Sequence, residues 1–422
     1  EAVKPSRRDP RADVVATATY IVELATVAGA FPATWTDVTA YVQSISISRG
    51  RDDVLSGVQP GTATFTFVNN DGRFSPGYTL SPLYPNVTLQ RAIRVIATPG
   101  ILSRMTFAEL ATYTFAELAT MRFDGGLYFG YIQTITPTPE AGGISRTTIQ
   151  ATDGFTWLDL ASSAPTYSAS TMTTHVGVAL NSASWPASAR SISTGLLTFT
   201  PTFSDSSVLS QLQTIVNDNE GGLVYMDGAG NVVAQDQATR FAAPYTTSAY
   251  TFTDTAAVTS LNAERPISDM ANEVKVTYTG AATVTKTDTP SQAAYGPRRL
   301  NLTAAFLGGT DADDWASWLL SQRKDPKDRL SFSFIANIST ALVLQANVRD
   351  LSDRITWTES NTKTGTNGEY YIERIDHQIE AGGMSHIVTY QLSPVVPYSR
   401  QSIRVWWTLG TSALGSGTRL AY

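Results

Sequence analysis

The sequence predicts a mainly β protein with a few short helices, a β-rich α+β chain in which two barrel-like β domains flank a mixed α+β domain. Three observations carry this. Val14 to Ala151 is almost wholly strand and turn in pattern. One clear amphipathic helix follows, with its apolar stripe at Val208/Leu209, Leu212 and Ile215/Val216. Period-2 alternation then resumes from Asn272, with Val274, Val276 and Tyr278 on one face. The expected limits are an extended arm over 1–13, a first barrel-like domain over 14–151 with an inserted loop repeat at 105–123, and a mixed domain over 152–265. A second barrel-like domain with a short helix covers 266–395, and a docking tail covers 396–422.

Taken in order, residues 1–13 are polar, basic and broken by proline, as in an extended arm. Arg7, Arg8 and Arg11 before the run Val14–Ala30 faintly imitate a secretory signal, but Glu23 inside that run is costly in lipid, so it reads as the first strand. The chain opens on Glu1 rather than Met, which suggests trimming or processing. In Pro60–Pro76 the threonines Thr62, Thr64 and Thr66 alternate with Ala63, Phe65 and Phe67, one wet face and one dry. The strand stops at Asn69, Asn70, Asp71 and Gly72, residues that tolerate positive φ and bond their own backbone. Phe74 reads as a buried anchor and Pro76 as a stop.

Phe129, Tyr131, Gln133 and Ile135 alternate towards Pro137 and Pro139, and Ala141 to Gly143 turns the chain into Ser145–Ala151. Inside this region the heptapeptide Thr106–Thr112 recurs at Thr114–Thr120, so that Phe107, Phe115 and Phe123 share an eight-residue spacing. Two copies are too few for a solenoid. A self-packed loop is the first reading and a contact loop to a neighbouring subunit the second.

Ser204 or Asp205 is the expected cap of the central helix, with Gly221 past its end. Leu223–Met226 and Val232–Val233 flank Asp227–Gly230, a hairpin signal. Thr310 and Asp313 resemble a capping box for a helix carrying Trp315, Trp318 and Leu319, ended by Asp325 and Pro326. Strands resume around Phe332, Ile355, Tyr370–Ile375 and His386–Leu392. The tail carries Trp406 and Trp407 among Gly, Ser and Thr. Packing onto its own last domain and a clasp on an adjacent subunit are equally open.

Composition excludes several classes. A net charge of −6 argues against a general nucleic-acid surface. With no Cys there are no disulfides, thiolate zinc sites or cysteine nucleophiles. No window approaches the ~20 apolar residues of a membrane span. His175, His377 and His386 lack metal-ligand spacing, although His377 and His386 can face each other across a hairpin as satisfied strand histidines. Gly410–Gly415 is not a nucleophile elbow, and Asp52, Asp53, Asp313 and Asp314 have no partner at a defined distance. No P-loop or dinucleotide fingerprint occurs. No catalytic residue, metal ligand or cofactor is expected, and the chain does not read as an enzyme.

The order of motifs is more specific than any one of them. Trp35 and Asp37 lead to Arg49, Gly50 and Arg51; Gly61 lies in a GTAT-type strand; Asn70, Asp71, Gly72, Arg73 and Phe74 form the turn; Tyr84 and Pro85 precede the basic strand Arg91–Val95. This order resembles the start of the tail-tip, or baseplate, hub proteins of tailed bacteriophages and prophages. The helix with its Asp-Gly hairpin and the closing strands resemble their later parts, so the resemblance spans roughly 15–395.

The resemblance implies a structural virion protein at the tail tip, a homotrimer whose two barrel-like domains per subunit form a pseudo-sixfold ring. Such a ring closes the tail tube and adapts sixfold to threefold symmetry. The implied neighbours are the distal tail protein, the tape-measure protein and a tip or receptor-binding protein, with DNA only in passage and no membrane insertion. Phe107, Phe115, Trp406 and Trp407 are the candidate contacts. The alternative is a carbohydrate-binding or cell-wall-degrading tail protein, motivated by eight Trp and eighteen Tyr.

Overall fold

A computed structural model of the protein describes residues 19–52, 57–98, 126–255, 257–380 and 385–396. The eight-residue repeat, the N-terminal arm and the tryptophan tail fall outside these residues, and with them Phe107, Phe115, Trp406 and Trp407. Packing divides the chain into two compact units: the residues up to Glu264 with Asp328–Pro394, and Arg265–Lys327.

The first unit is built on a thirteen-stranded sheet. Its N-terminal half contains β1 (Thr19–Ala25), β2 (Trp35–Asp37), β3 (Val42–Gly50), β4 (Gln59–Val68), β5 (Ala92–Thr98), β6 (Tyr128–Thr138) and β7 (Arg146–Thr152), in the order β3-β4-β7-β6-β5-β1-β2. The period-2 pattern of β4 does what it predicts. Ala63, Phe65 and Phe67 are buried, and join Val22, Leu24, Ile45, Ile47, Ile93, Val95, Tyr128 and Ile149 in one core. Thr62, Thr64 and Thr66 fall on the other face, less buried.

The C-terminal half contributes the strands Val258–Glu264, Arg329–Ile335, Ser385–Pro394 and Gly368–Glu380 in that order, and Arg354–Thr358 pairs both with Gly368–Glu380 and, in parallel, with Thr251–Thr253. Phe252, Phe332, Phe334, Trp357 and Tyr390 interlock there at ring-centroid distances of 4.8–5.8 Å in several pairs. The two halves share one ladder. β3 pairs antiparallel with Gly368–Glu380 from Gly50↔Arg374 to Ser44↔Glu380.

Between the halves lie shorter helices and a hairpin. Helix Gly154–Leu160 is capped by Asp153, whose carboxylate accepts from the Phe155 amide. Helix Met172–Ser182, which the Ser/Thr/Ala-rich sequence hid, buries Met172, Val176, Ala179 and Leu180. The central helix runs Val208–Gln213 and continues as a π-helical turn over Thr214–Asn219. Ser207, not Ser204 or Asp205, caps it, because its hydroxyl meets the Ser210 amide. Gly221 follows with φ +63°. The Asp227 hairpin joins Leu223–Met226 to Val232–Gln235, with Asp227 Oδ1 accepting from the Ala229 and Asn231 amides.

The second unit is a three-stranded sheet in the order Thr283–Thr287, Glu273–Tyr278, Arg299–Ala304, the last two parallel. The strand after Asn272, read from sequence as opening a second barrel-like domain, belongs to this unit. A parallel pair needs a crossover, and helix Thr289–Tyr295 lies within it. Helix Gly309–Arg323 packs on the sheet through Ala312, Trp315, Ala316 and Leu319. It starts at Gly308 without a side-chain cap, so Thr310 and Asp313 form no capping box; Asp313 instead pairs with Lys286 at 2.7 Å.

Candidate functional site

The turn that ends β4 is held by its first residue. Asn69 Oδ1 accepts from the Phe74 amide at 2.9 Å, Asn69 Nδ2 donates to Ser75 Oγ, and the Gly72 amide donates back to the Asn69 carbonyl. Gly72 takes the left-handed conformation this requires, φ +72°. Phe74 is driven inwards and stacks on Phe67 at 4.3 Å. Arg73 faces the other way, pairing with Asp71 and lying 3.6 Å from the Tyr41 ring centroid. The Arg73 hydrogen bond holds the Asp71 carboxyl below its usual range. Asn70 Oδ1 accepts from the Ser145 amide, tying the turn to the chain entering β7.

Asn70, Asp71, Gly72, Arg73 and Phe74 thus form one structure, with Tyr84 and Pro85 farther along the loop it opens. Gly61 does not join them. It lies near the start of β4, where its amide donates to Asp153 Oδ2 at 2.6 Å; a Cβ there would sit 2.8 Å from that oxygen and 3.0 Å from Arg49.

The sequence Arg49-Gly50-Arg51 occupies the seam where β3 meets the C-terminal half. Buried Arg49 donates to Asp350 Oδ1 at 2.9 Å and to the Met226 carbonyl at 3.2 Å. Arg51 donates to Glu373 Oε2 at 2.8 Å, and Arg240 approaches the same carboxylate through Nη1 at 2.5 Å and Nη2 at 3.1 Å. Ser393 completes the set with a bond to Glu373 Oε1. Burial alone would raise the Glu373 carboxyl, but the charges of Arg240 and Arg51 overcome it and hold the group well below the carboxylate range. Glu373 can meet both arginines because the ladder slips between Ile372 and Arg374, a bulge that re-aims its side chain.

Sequence reasoning quoted the arginines but missed Arg240, Asp350 and Glu373. A signal was present for Glu373: an acid between Tyr370, Tyr371, Ile372 and Ile375 cannot sit uncompensated in a buried strand.

A second buried chain lies beside the first. Tyr20 Oη is 2.6 Å from His386 Nδ1, and His386 Nε2 is 2.9 Å from His377 Nδ1. The two histidines do face each other across the hairpin. Burial pushes His386 down to about 3, and burial, His386 and Arg49 push His377 well below its usual value. Among the described residues no group of three or more His, Asp or Glu is placed to hold a metal ion.

The histidines give a signed prediction. Below pH 6.5 the unfolded chain takes up protons that the folded chain refuses, so stability falls with pH by up to about 1.4 kcal/mol per pH unit for each histidine. Asp153, pushed up to about 7 mainly by burial, acts in the opposite direction over pH 7 to 4. The difference between wild type and His377→Gln therefore isolates the effect. Urea unfolding at pH 7 and pH 5 should show the variant losing about 2 kcal/mol less than wild type over that interval. Equal losses would refute a neutral His377.

These elements define a class of fold. The fold as a whole is one that solved structures of tail proteins share. The solved structures that share it include the tail protein from Neisseria meningitidis MC58, with a TM-score of 0.57 and 10% identity over 89% of this chain and 97% of that one. The 43 kDa tail protein of prophage MuSo2 from Shewanella oneidensis follows, with a TM-score of 0.54 and 11% identity over 89% and 96%. Prophage tail protein gp18 from Listeria monocytogenes EGD-e has a TM-score of 0.50 and 10% identity over 90% and 95%. At such identities the likeness is one of fold. No protein-family model matches the sequence, and no curated protein matches it significantly.

Proposed function

We propose that the protein is a structural component of a phage or prophage tail, the hub at its tip. Three copies close the end of the tail tube, and two sheet-bearing halves per copy present six units around a threefold axis. The observation that carries this reading is the near end-to-end fold match to tail proteins, together with the seam that locks both halves of the chain. Its neighbours are then the distal tail protein, the tape-measure protein and a tip or receptor-binding protein, with DNA only passing through.

The carbohydrate reading draws on exposed aromatics. Of the tryptophans, Trp185, Trp315 and Trp357 are buried, and Trp35, Trp157 and Trp318 are half-buried; none of the described ones is exposed. The exposed aromatics among the described residues are the tyrosines Tyr78, Tyr84 and Tyr295.

Antibody labelling of intact tailed particles carrying this chain tests the proposal. Label at the end distal to the capsid is the expected result, with threefold class averages of that region. Label along the tube or on the capsid would overturn it.

A further inference from the structure

The strand order leaves one closure of the first unit without a ladder. Among the described residues β1 pairs with β2 and β5, and Ser385–Pro394 pairs with Arg329–Ile335 and Gly368–Glu380. Yet β1 and Ser385–Pro394 meet. The tip of the hairpin that Gly368–Glu380 and Ser385–Pro394 form reaches into the N-terminal core, where Ile379 joins Tyr20, Val22 and Leu24 in one cluster. The polar contact across the gap is the chain Tyr20–His386–His377, and the Tyr20 ring also meets His386 edge-on at 5.1 Å.

This chain is built for neutral rings. Each of its two contacts sets one N–H or O–H against one bare nitrogen or oxygen, whichever way the chain runs. A first added proton gives His386 an N–H on both sides, and the Tyr20 hydroxyl then loses its acceptor. A second sets two N–H groups face to face at 2.9 Å. The groups around the pair offer no counter-charge. From β3 it is faced by Arg49, a cation already paired with Asp350. Asp376 and Glu380 alternate to the opposite face of their strand, as Glu23 does in β1, where it pairs with Arg94. Ser385–Pro394 holds no Asp, Glu, Lys or Arg, and Asn337 meets it only through an amide oxygen that accepts from the His386 backbone N–H. Burial raises the Tyr20 hydroxyl, so it supplies no anion.

We infer that the Tyr20–His386–His377 chain is an acid-released latch, in which proton uptake lifts the hairpin tip off β1 while the rest of the sheet stays folded. Local release is the smaller step, because parting β1 from the hairpin breaks side-chain contacts and no ladder, whereas global unfolding also breaks the ladders with β3 and β5. Burial keeps both rings neutral while the latch is closed. The open state alone therefore takes up protons as the pH falls below 6.5.

The chain has no Cys, so an introduced thiol is a specific probe of opening. Ile379→Cys places one at the hairpin tip, and Ile149→Cys places one in β7, which is laddered on both sides to β4 and β6. Labelling by a pyridyl disulfide is measured on the full chain at pH 7 and pH 5, each rate divided by that of the same variant unfolded in urea. At pH 5 the Ile379→Cys protein should label at least about 10-fold faster than the Ile149→Cys protein. Its normalised rate should rise on the order of 25-fold per histidine from pH 7 to pH 5, and adding His386→Gln should remove the His386 share of that rise. Equal labelling of the two probes would mean that protons act through global unfolding alone, and overturns the inference. So does a rise that His386→Gln leaves unchanged. Tyr20→Phe gives an independent reading should the glutamine variant fail to fold, since it keeps both histidines and removes only the hydroxyl. Faster labelling of Ile379→Cys at pH 7 in that background supports the latch, and an unchanged rate overturns it.

Discussion

Replacing Gly50 by alanine is expected to cost more than about 3 kcal/mol, enough to leave most of the protein insoluble. Gly50 has φ +123°, a region that L side chains rarely adopt. A Cβ there would also stand 2.2 Å from the Glu373 carbonyl oxygen and 2.6 Å from Arg374 Cα, both backbone atoms of the paired strand. Neither neighbour can rotate away, because the same strand is bonded on its far side to Ser385–Pro394. The variant must open the ladder at the point where Arg49 and Arg51 enter it. Gly77→Ala is the control: nothing lies within 4 Å of its Cβ position, and its stability should stay within ~0.5 kcal/mol of wild type. A Gly50→Ala protein with a wild-type urea midpoint would disprove the account.

Glu373→Gln is the second large effect. The amide keeps the shape of the carboxylate but removes its charge, so that buried Arg51 and Arg240 both lose the carboxylate they share. Breaking a buried pair in this way costs about 3–5 kcal/mol. The variant should also change the acid limb of the stability curve. A carboxyl held below its ordinary value of 4.5 contributes stability that is present above that pH and is lost as pH falls through the folded value. Unfolding by urea at pH 7 and pH 3.5 should therefore show a smaller loss in the variant than in wild type. A variant within 1 kcal/mol of wild type at pH 7 would show that the seam is held by its ladder bonds alone.

What was legible in the sequence was local. The alternation of β4, the Asn69–Phe74 turn and the Asp227 hairpin each write their geometry within ten residues, and each forms. Helix Met172–Ser182 was hidden because its polar face is Thr and Ser, residues equally at home in loops. The caps went astray for a related reason: Ser204, Asp205 and Ser207 are all competent acceptors, and only tertiary packing chooses among them. Least legible was the seam. Arg49 finds Asp350 and Arg51 finds Glu373 across most of the chain, and no spacing rule reaches that far. The strand after Asn272 alternates as any half-buried strand does, so its pattern could not say which sheet it joins.

The pairing of β3 with Gly368–Glu380 also bears on how the molecule is made. Arg51 and Glu373 are 322 residues apart. At a synthesis rate of about 5–20 residues per second, β3 leaves the ribosome roughly 15–60 s before its partner strand exists. For that interval one edge of β3 has open amides and carbonyls and carries Ile45 and Ile47, which suits capture by another nascent strand. Ladder closure over so long a loop is intrinsically slow. Yield of soluble protein is then governed by the race between chain completion and aggregation, and slower growth at low temperature with added holdase chaperone should favour the native seam.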